Sequence, residues 1–218
     1  MSEINIYFVR HGQTLLNTFK RMQGWCDSDL TEQGKQDAIK VGEKLKNEHF
    51  SYVYSSDTGR AIETRDIVLS KFNYHPKTVS TLHSFREILF GYYEGLDSLN
   101  IWEEIGGKFG YHTQADIIND KGLKEVRRLM KLADPSHMAE TYDQVKNRWQ
   151  SGVNYLKENC EDGSNILVIT HGSALRTFAD SLGIDTIGNF PDNGSVSVLQ
   201  VTDNDEAFTT YNNKKVID

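Results

Sequence analysis

Two histidines in this 218-residue chain stand where a reactive group would be placed. His11 closes the apolar run Ile4–Val9 in V-R-H-G-Q-T, and His171 closes Asn165–Thr170 in V-I-T-H-G-S. Glycine follows each, Gly12 and Gly172, and lets backbone or ligand approach closely. Arg10 precedes His11, and Arg60 lies in Y-S-S-D-T-G-R, where a helix begins after a second short apolar run. Arginine forks onto phosphate through two parallel N–H bonds, and a helix N-terminus adds further donors for an anion. Taken singly, each arginine is a surface charge or a structural ion-pair partner. Two arginines and two histidines at one strand edge describe a pocket for a dianion.

The chemistry follows from those residue types. A neutral imidazole can attack phosphorus and carry the phosphoryl group covalently. Its other ring nitrogen must then be held by an acceptor, most simply a backbone carbonyl. The second histidine and the arginines would stabilise charge on the phosphoryl oxygens. The leaving oxygen needs a proton, and Glu87, in F-R-E-I-L-F-G-Y-Y-E-G, is the best-placed carboxyl. Its apolar and aromatic neighbours favour the protonated form, and an ordinary surface glutamate is the competing reading. His49, His75, His83, His112 and His137 lack a strand-end setting.

The elements that must position these groups are visible as hydrophobic patterns. Ile4–Val9, Tyr52–Tyr54 and Asn165–Thr170 read as buried strands, and Ser195–Val201 and Ala207–Tyr211 as later ones. Thr31 caps a helix whose Ala38, Val41 and Leu45 share one face. Asp57–Phe72 reads as a second helix, and Thr141 with Gln144 forms a capping box for a third, reaching Asn159. A fourth follows His171 and ends near Gly183. Alternating strands and helices predict an α/β fold, a three-layer α/β/α sandwich around a mainly parallel sheet. Ligands in such folds bind beyond the carboxyl ends of the strands, where both histidines fall. Residues from about 96 to 140, including the charged helical stretch Gly122–Leu132, break the alternation and predict a helical insertion over that end.

Composition narrows the field. A net charge of -7 argues against a general nucleic-acid binder, whose affinity needs basic surface. No apolar run approaches the ~20 residues that span a bilayer, and the N-terminus lacks the features of a secretion signal. Cys26 and Cys160 form no metal spacing and no disulfide framework. A cytoplasmic protein is expected, with residues 1–218 forming one domain.

The chain resembles the histidine phosphatase (phosphoglycerate mutase-like) superfamily in five ordered segments. These are Arg10–Asn17 (R-H-G-Q-T-L-L-N), Arg21–Gly34, Ser55–Thr64, Arg86–Gly95 and Thr170–Ser173. The resemblance implies His11 as a nucleophile that becomes phosphohistidine, with Arg10, Arg60 and His171 holding the phosphoryl group. Glu87 would be the proton donor and then the base for water. Asn17, Arg21, Gln23 and Gly24 match the family's substrate-side loop, either as binding groups or as loop architecture. Gly172 and Ser173 would complete the substrate side, with a Ser173 hydroxyl where the family often has glycine. The family needs no catalytic metal, and a small phosphorylated metabolite is the implied partner.

Members either hydrolyse phosphomonoesters or move phosphate within phosphoglycerate. Cofactor-dependent mutases carry Glu-Arg-His-Tyr-Gly around the acid, whereas this chain reads Glu87-Ile88-Leu89-Phe90-Gly91. Arg127-Arg128 faintly resembles a paired arginine of mutases, but its charged surroundings predict a solvated helix face. A phosphatase without a cofactor is therefore expected. The alternatives are a mutase using 2,3-bisphosphoglycerate and an inactive phosphate-binding module. Arg65, where the family often has a small residue, leaves helix packing or a substrate contact open.

Overall fold

A computed structural model describes residues 3–213. Six strands form one sheet: β1 (Glu3–Arg10), β2 (Phe50–Ser55), β3 (Thr78–Thr81), β4 (Asn165–Thr170), β5 (Val196–Thr202) and β6 (Glu206–Asn213). Their order is β3-β2-β4-β1-β5-β6. The first four run parallel, and β5 and β6 are antiparallel additions at one side. A short helix, α1 (Leu15–Thr18), follows β1, and longer helices on both faces complete the α/β/α sandwich.

Period-two alternation in the central strands divides the core. Ile4, Ile6 and Phe8 of β1 and Ile166 and Val168 of β4 are buried in one layer. Val9, Leu167 and Ile169 enter the other, against Ala38, Val41 and Leu45 of α2 (Glu32–Leu45) and Ala61 and Val68 of α3 (Gly59–Leu69). Successive strand residues point to opposite faces, so two helical layers are needed to bury both. The first layer is closed by α6 (Tyr142–Asn159), with buried Val145, Trp149 and Val153, and by Leu175 and Phe178 of a helix beginning at Gly172.

The caps read from sequence are present. Thr31 accepts the N–H of Gly34 at the start of α2, and Thr141 and Gln144 form their reciprocal box. The edge strand β3 escapes sequence reading because three of its four residues, Val79–Thr81, are exposed and it has no apolar alternation.

The 96–140 stretch holds two helices, α4 (Ser98–Gly107) and α5 (Gln114–Ala133). The predicted Gly122–Leu132 segment is only the second part of α5. Gly122 sits at φ 78°, a conformation suited to glycine, and joins two helical pieces. Arg127 corrects the expectation of a solvated face. It is 1% exposed, while Arg128 is exposed and pairs with Glu125 at 2.7 Å.

Candidate active site

Three parallel strands end side by side, and a polar residue follows each. The N–H of His11, after β1, donates to the Thr170 carbonyl at the end of β4, and that of Ser56, after β2, donates to the Ile169 carbonyl. His171 follows β4 and caps α7 (Gly172–Ser181). Sheet hydrogen bonding thus sets His11, Ser56 and His171 in a row. Both glycines serve close approach as expected: a side chain on Gly12 would collide with the Gly34 carbonyl of α2. One on Gly172 would meet the Phe190 ring at 2.7 Å and Arg10 Nε at 3.0 Å.

Hydrogen-bond partners fix the state of both imidazoles. His11 Nδ1 lies 2.7 Å from the Gly12 carbonyl, which can only accept, so Nδ1 carries the proton. Nε2 then keeps its lone pair and accepts from Arg60 Nε at 3.2 Å. His171 has the opposite tautomer. Its Nδ1 accepts from Arg60 Nη2 at 3.1 Å, and its Nε2–H faces Ser56 Oγ at 2.6 Å. Burial first, then the Arg60 and Arg10 charges, hold His11 well below the usual imidazole range. Burial, Arg60, His11 and Arg10 do the same to His171. Both rings are therefore neutral near pH 7.

Arg60 is 1% exposed at the first turn of α3. Its guanidinium is held by the carbonyls of Gly24 (2.7 Å) and Cys26 (2.8 Å) and by Asp27 (2.9 Å). Arg10 donates to the Pro191 carbonyl at 2.7 Å and lies 5.0 Å from the centre of the Phe190 ring. Its Nε is buried without a hydrogen-bond partner, and burial lowers its pKa to about 10. Two guanidiniums thus stand with two neutral imidazoles, Arg60 paired with Asp27 and Arg10 within the field of Glu87.

Glu87 differs from its sequence reading in one respect. Ile88 and Phe90 are buried beside it, but its carboxylate faces backbone donors. Oε1 accepts from Ile88 (2.9 Å) and Ala174 (2.7 Å), and Oε2 from Ser173 (2.9 Å). Glu87 therefore caps α7, beside His171. Arg148 of α6 pins this segment by donating to the carbonyls of Ser84, Arg86 and Glu87 and pairing with Glu140 at 2.8 Å.

A cavity of about 190 Å³ opens at this end of the sheet. Arg10, Asn17, Arg21, Gln23, Glu87 and Ser173 contribute its polar wall, and Met22, Phe90, Trp102 and Phe190 its apolar one. Ser98 and Trp102 of α4 and Gln114 of α5 reach it from the 96–140 stretch. His11, Arg60 and His171 are 3%, 1% and 0% exposed and lie outside that lining. Gln23 is tied to Thr14, Asn17 and Ser28, so the loop residues both line the cavity and hold one another. Gly24 lies outside the lining. Arg65 reaches Ser55 Oγ and the Ser80 carbonyl near β3, away from the cavity.

Several contributors carry no sequence signal of their own. Asp27 completes the seat of Arg60. Asn193 donates to the His11 carbonyl at 2.8 Å, Phe190 forms a wall, and Ser56 orients His171. Only their placement reveals them.

Residues 6–214 match the model of the histidine phosphatase superfamily (branch 1), and the chain belongs to that family. Catalysis of the histidine-phosphatase type on small phosphorylated metabolites follows from that membership. A probable phosphoglycerate mutase, GpmB, of Erwinia tasmaniensis is 38% identical over 181 residues, covering 82% of this chain and 74% of that protein. The crystal structure of a phosphoglycerate mutase from Bacillus anthracis superposes with a TM-score of 0.90 at 30% identity, covering 99% and 96% of the two chains. Bacillus stearothermophilus YhfR gives 0.80 at 26% identity, covering 99% and 100%. Among the described residues no helix is long and apolar enough to cross a membrane.

Proposed function

We propose that this protein is a phosphatase that hydrolyses small phosphomonoesters through a phosphohistidine at His11. The observation that carries the reading is the His11 tautomer: Nδ1–H is committed to Gly12, leaving the Nε2 lone pair beside Arg60. When a phosphoryl group enters, the Arg60 donor transfers from Nε2 to a phosphoryl oxygen, and Arg10 supports another. Nε2 attacks phosphorus, the ester P–O bond breaks, and Glu87, which takes up a proton together with the incoming phosphate ester, gives that proton to the leaving oxygen. Glu87, now a carboxylate, takes a proton from water. The resulting hydroxide attacks phosphorus, the P–N bond breaks, and inorganic phosphate leaves with His11 restored. The incoming dianion offsets the two guanidinium charges and favours a proton on His171, which then donates to the phosphoryl group.

The cavity supports a small substrate. Its volume of about 190 Å³ lies below the ~300–1,000 Å³ of sites for drug-sized ligands. The relatives named as phosphoglycerate mutases favour a second reading, in which the protein moves phosphate within phosphoglycerate with 2,3-bisphosphoglycerate as cofactor. A mutase must hold its released product for re-attack, which needs polar groups around the part that is not transferred. Arg21, Gln23, Ser98 and Gln114 supply such groups here, and the departure from a mutase lies instead at Ile88-Leu89-Phe90, where cofactor-dependent mutases carry Arg-His-Tyr. Arg127 lies 5.7 Å from the Phe90 ring centre and does not line the cavity. The two readings separate on incubation with 3-phosphoglycerate, with and without 2,3-bisphosphoglycerate. Phosphate release that needs no bisphosphate supports the phosphatase. Rapid bisphosphate-dependent isomerisation overturns it.

A further inference from the structure

Four backbone N–H groups converge on the carboxylate of Glu94. Oε1 accepts from Trp25 (3.0 Å) and Phe90 (2.9 Å), and Oε2 from Gly24 (3.1 Å) and Cys26 (3.0 Å). Three consecutive residues of one irregular loop thus point their N–H groups at a single anion, as in a backbone nest. Carbonyls of the same loop receive Arg60: Gly24 takes Nη2, and Cys26 takes Nη1. A guanidinium is a rigid planar fork, so two seated nitrogens determine where the third points. Here Nε points at His11, while Nη2 also reaches His171. The loop is tied to the Glu87 segment as well, by the Trp25 indole N–H on the Glu87 carbonyl at 2.9 Å.

We propose that Glu94 is a positioning residue, whose carboxylate fixes the Gly24–Cys26 loop so that Arg60 is aimed at the two histidines and at the phosphoryl group. Its action on phosphate rests on the reading of Arg60 as a phosphate ligand. Glu94 does not line the cavity and acts only through the loop. Gly24 belongs to the same device. A side chain there would collide with the Ile88 carbonyl and with Glu94 Oε1, so only glycine leaves the carboxylate in place.

The test uses the full chain, carrying Glu94→Gln in one protein and Gly24→Ala in another. The amide introduced by the first substitution offers one acceptor oxygen and turns an N–H₂ toward donors. The methyl introduced by the second meets the Ile88 carbonyl as well as Glu94 Oε1, so it shifts the loop away from the carboxylate while the charge of Glu94 is kept. His11 is titrated by imidazole NMR, and inorganic phosphate binding is measured by calorimetry. In the wild-type protein the His11 midpoint is depressed by burial, Arg60 and Arg10, with His171 facing it in ring contact. In either folded variant the midpoint rises towards the ordinary imidazole range, and the phosphate Kd rises about tenfold or more as charge-assisted bonds are lost. A wild-type His11 midpoint in a folded variant overturns the proposal, as does an unchanged phosphate Kd. If the wild-type protein binds no phosphate, the Arg60 reading fails, and the His11 midpoint alone decides the role of Glu94.

Discussion

The carboxylate of Glu87 caps the helix that begins beside His171, taking the Ala174 N–H at 2.7 Å. The group read as proton donor is therefore tied to the element that carries the second histidine. Such a carboxyl is held in orientation before substrate arrives, which is what an acid serving two consecutive steps requires.

Replacing Glu87 with glutamine tests that role. The amide oxygen can occupy the Oε1 position, which receives two of the three N–H groups. Turnover of p-nitrophenyl phosphate is expected to fall by about 10²–10⁴-fold, the usual worth of general acid–base catalysis. Vanadate and phosphate affinity should stay within a few-fold of wild type. Lost anion binding with folding intact would recast Glu87 as a structural cap.

Gly172→Ala tests the placement of Arg10. The added methyl meets the Phe190 ring and Arg10 Nε, so one of them must move. Displacing a phosphate-binding guanidinium removes charge-assisted bonds worth about 1.5–3 kcal/mol, or roughly 10- to 150-fold in phosphate Kd. An inhibition constant for phosphate unchanged in both Gly172→Ala and Arg10→Met would show that Arg10 does not hold the anion.

Stability should depend on pH through the two buried imidazoles. In the unfolded chain they take protons near the ordinary value of 6.5, and in the folded protein they do so only well below it. Below pH 6.5 the unfolded state therefore binds more protons, and folding weakens as pH falls towards the folded values. Each histidine contributes at most about 1.4 kcal/mol per pH unit in that window. Urea midpoints measured from pH 7.5 down to 5 should fall, and less steeply in His171→Asn, which removes one of the two groups. Equal slopes in the two proteins would remove His171 from the account.

What the sequence makes legible is local. Ile4–Val9 and Asn165–Thr170 announce themselves by apolar content, and Thr31 and Thr141 by their caps, because such signals are complete within a few residues. Both histidines gain their meaning from standing at strand ends. Asp27, Glu94, Arg148 and Asn193 are different, since each matters through partners between 33 and 182 residues away. No spacing encodes those contacts.

Arg127 is an intermediate case. Leu123, Val126 and Met130 are buried around it at helical spacing, so it sits on the inner stripe of α5 despite its charge. The stripe is visible in the sequence, and the neighbouring charges conceal it. The importance of Glu87 is legible but its surroundings are not, because the donors to its carboxylate from Ser173 and Ala174 lie 86 and 87 residues away.

Trapping the covalent intermediate tests the central claim most directly. Rapid acid-free quench of the wild-type protein with ³²P-labelled substrate, followed by peptide mapping, should place an acid-labile, alkali-stable label on His11. His11→Ala should show neither label nor turnover. A label on another residue, or hydrolysis by His11→Ala at the wild-type rate, would contradict the assignment of His11 as nucleophile.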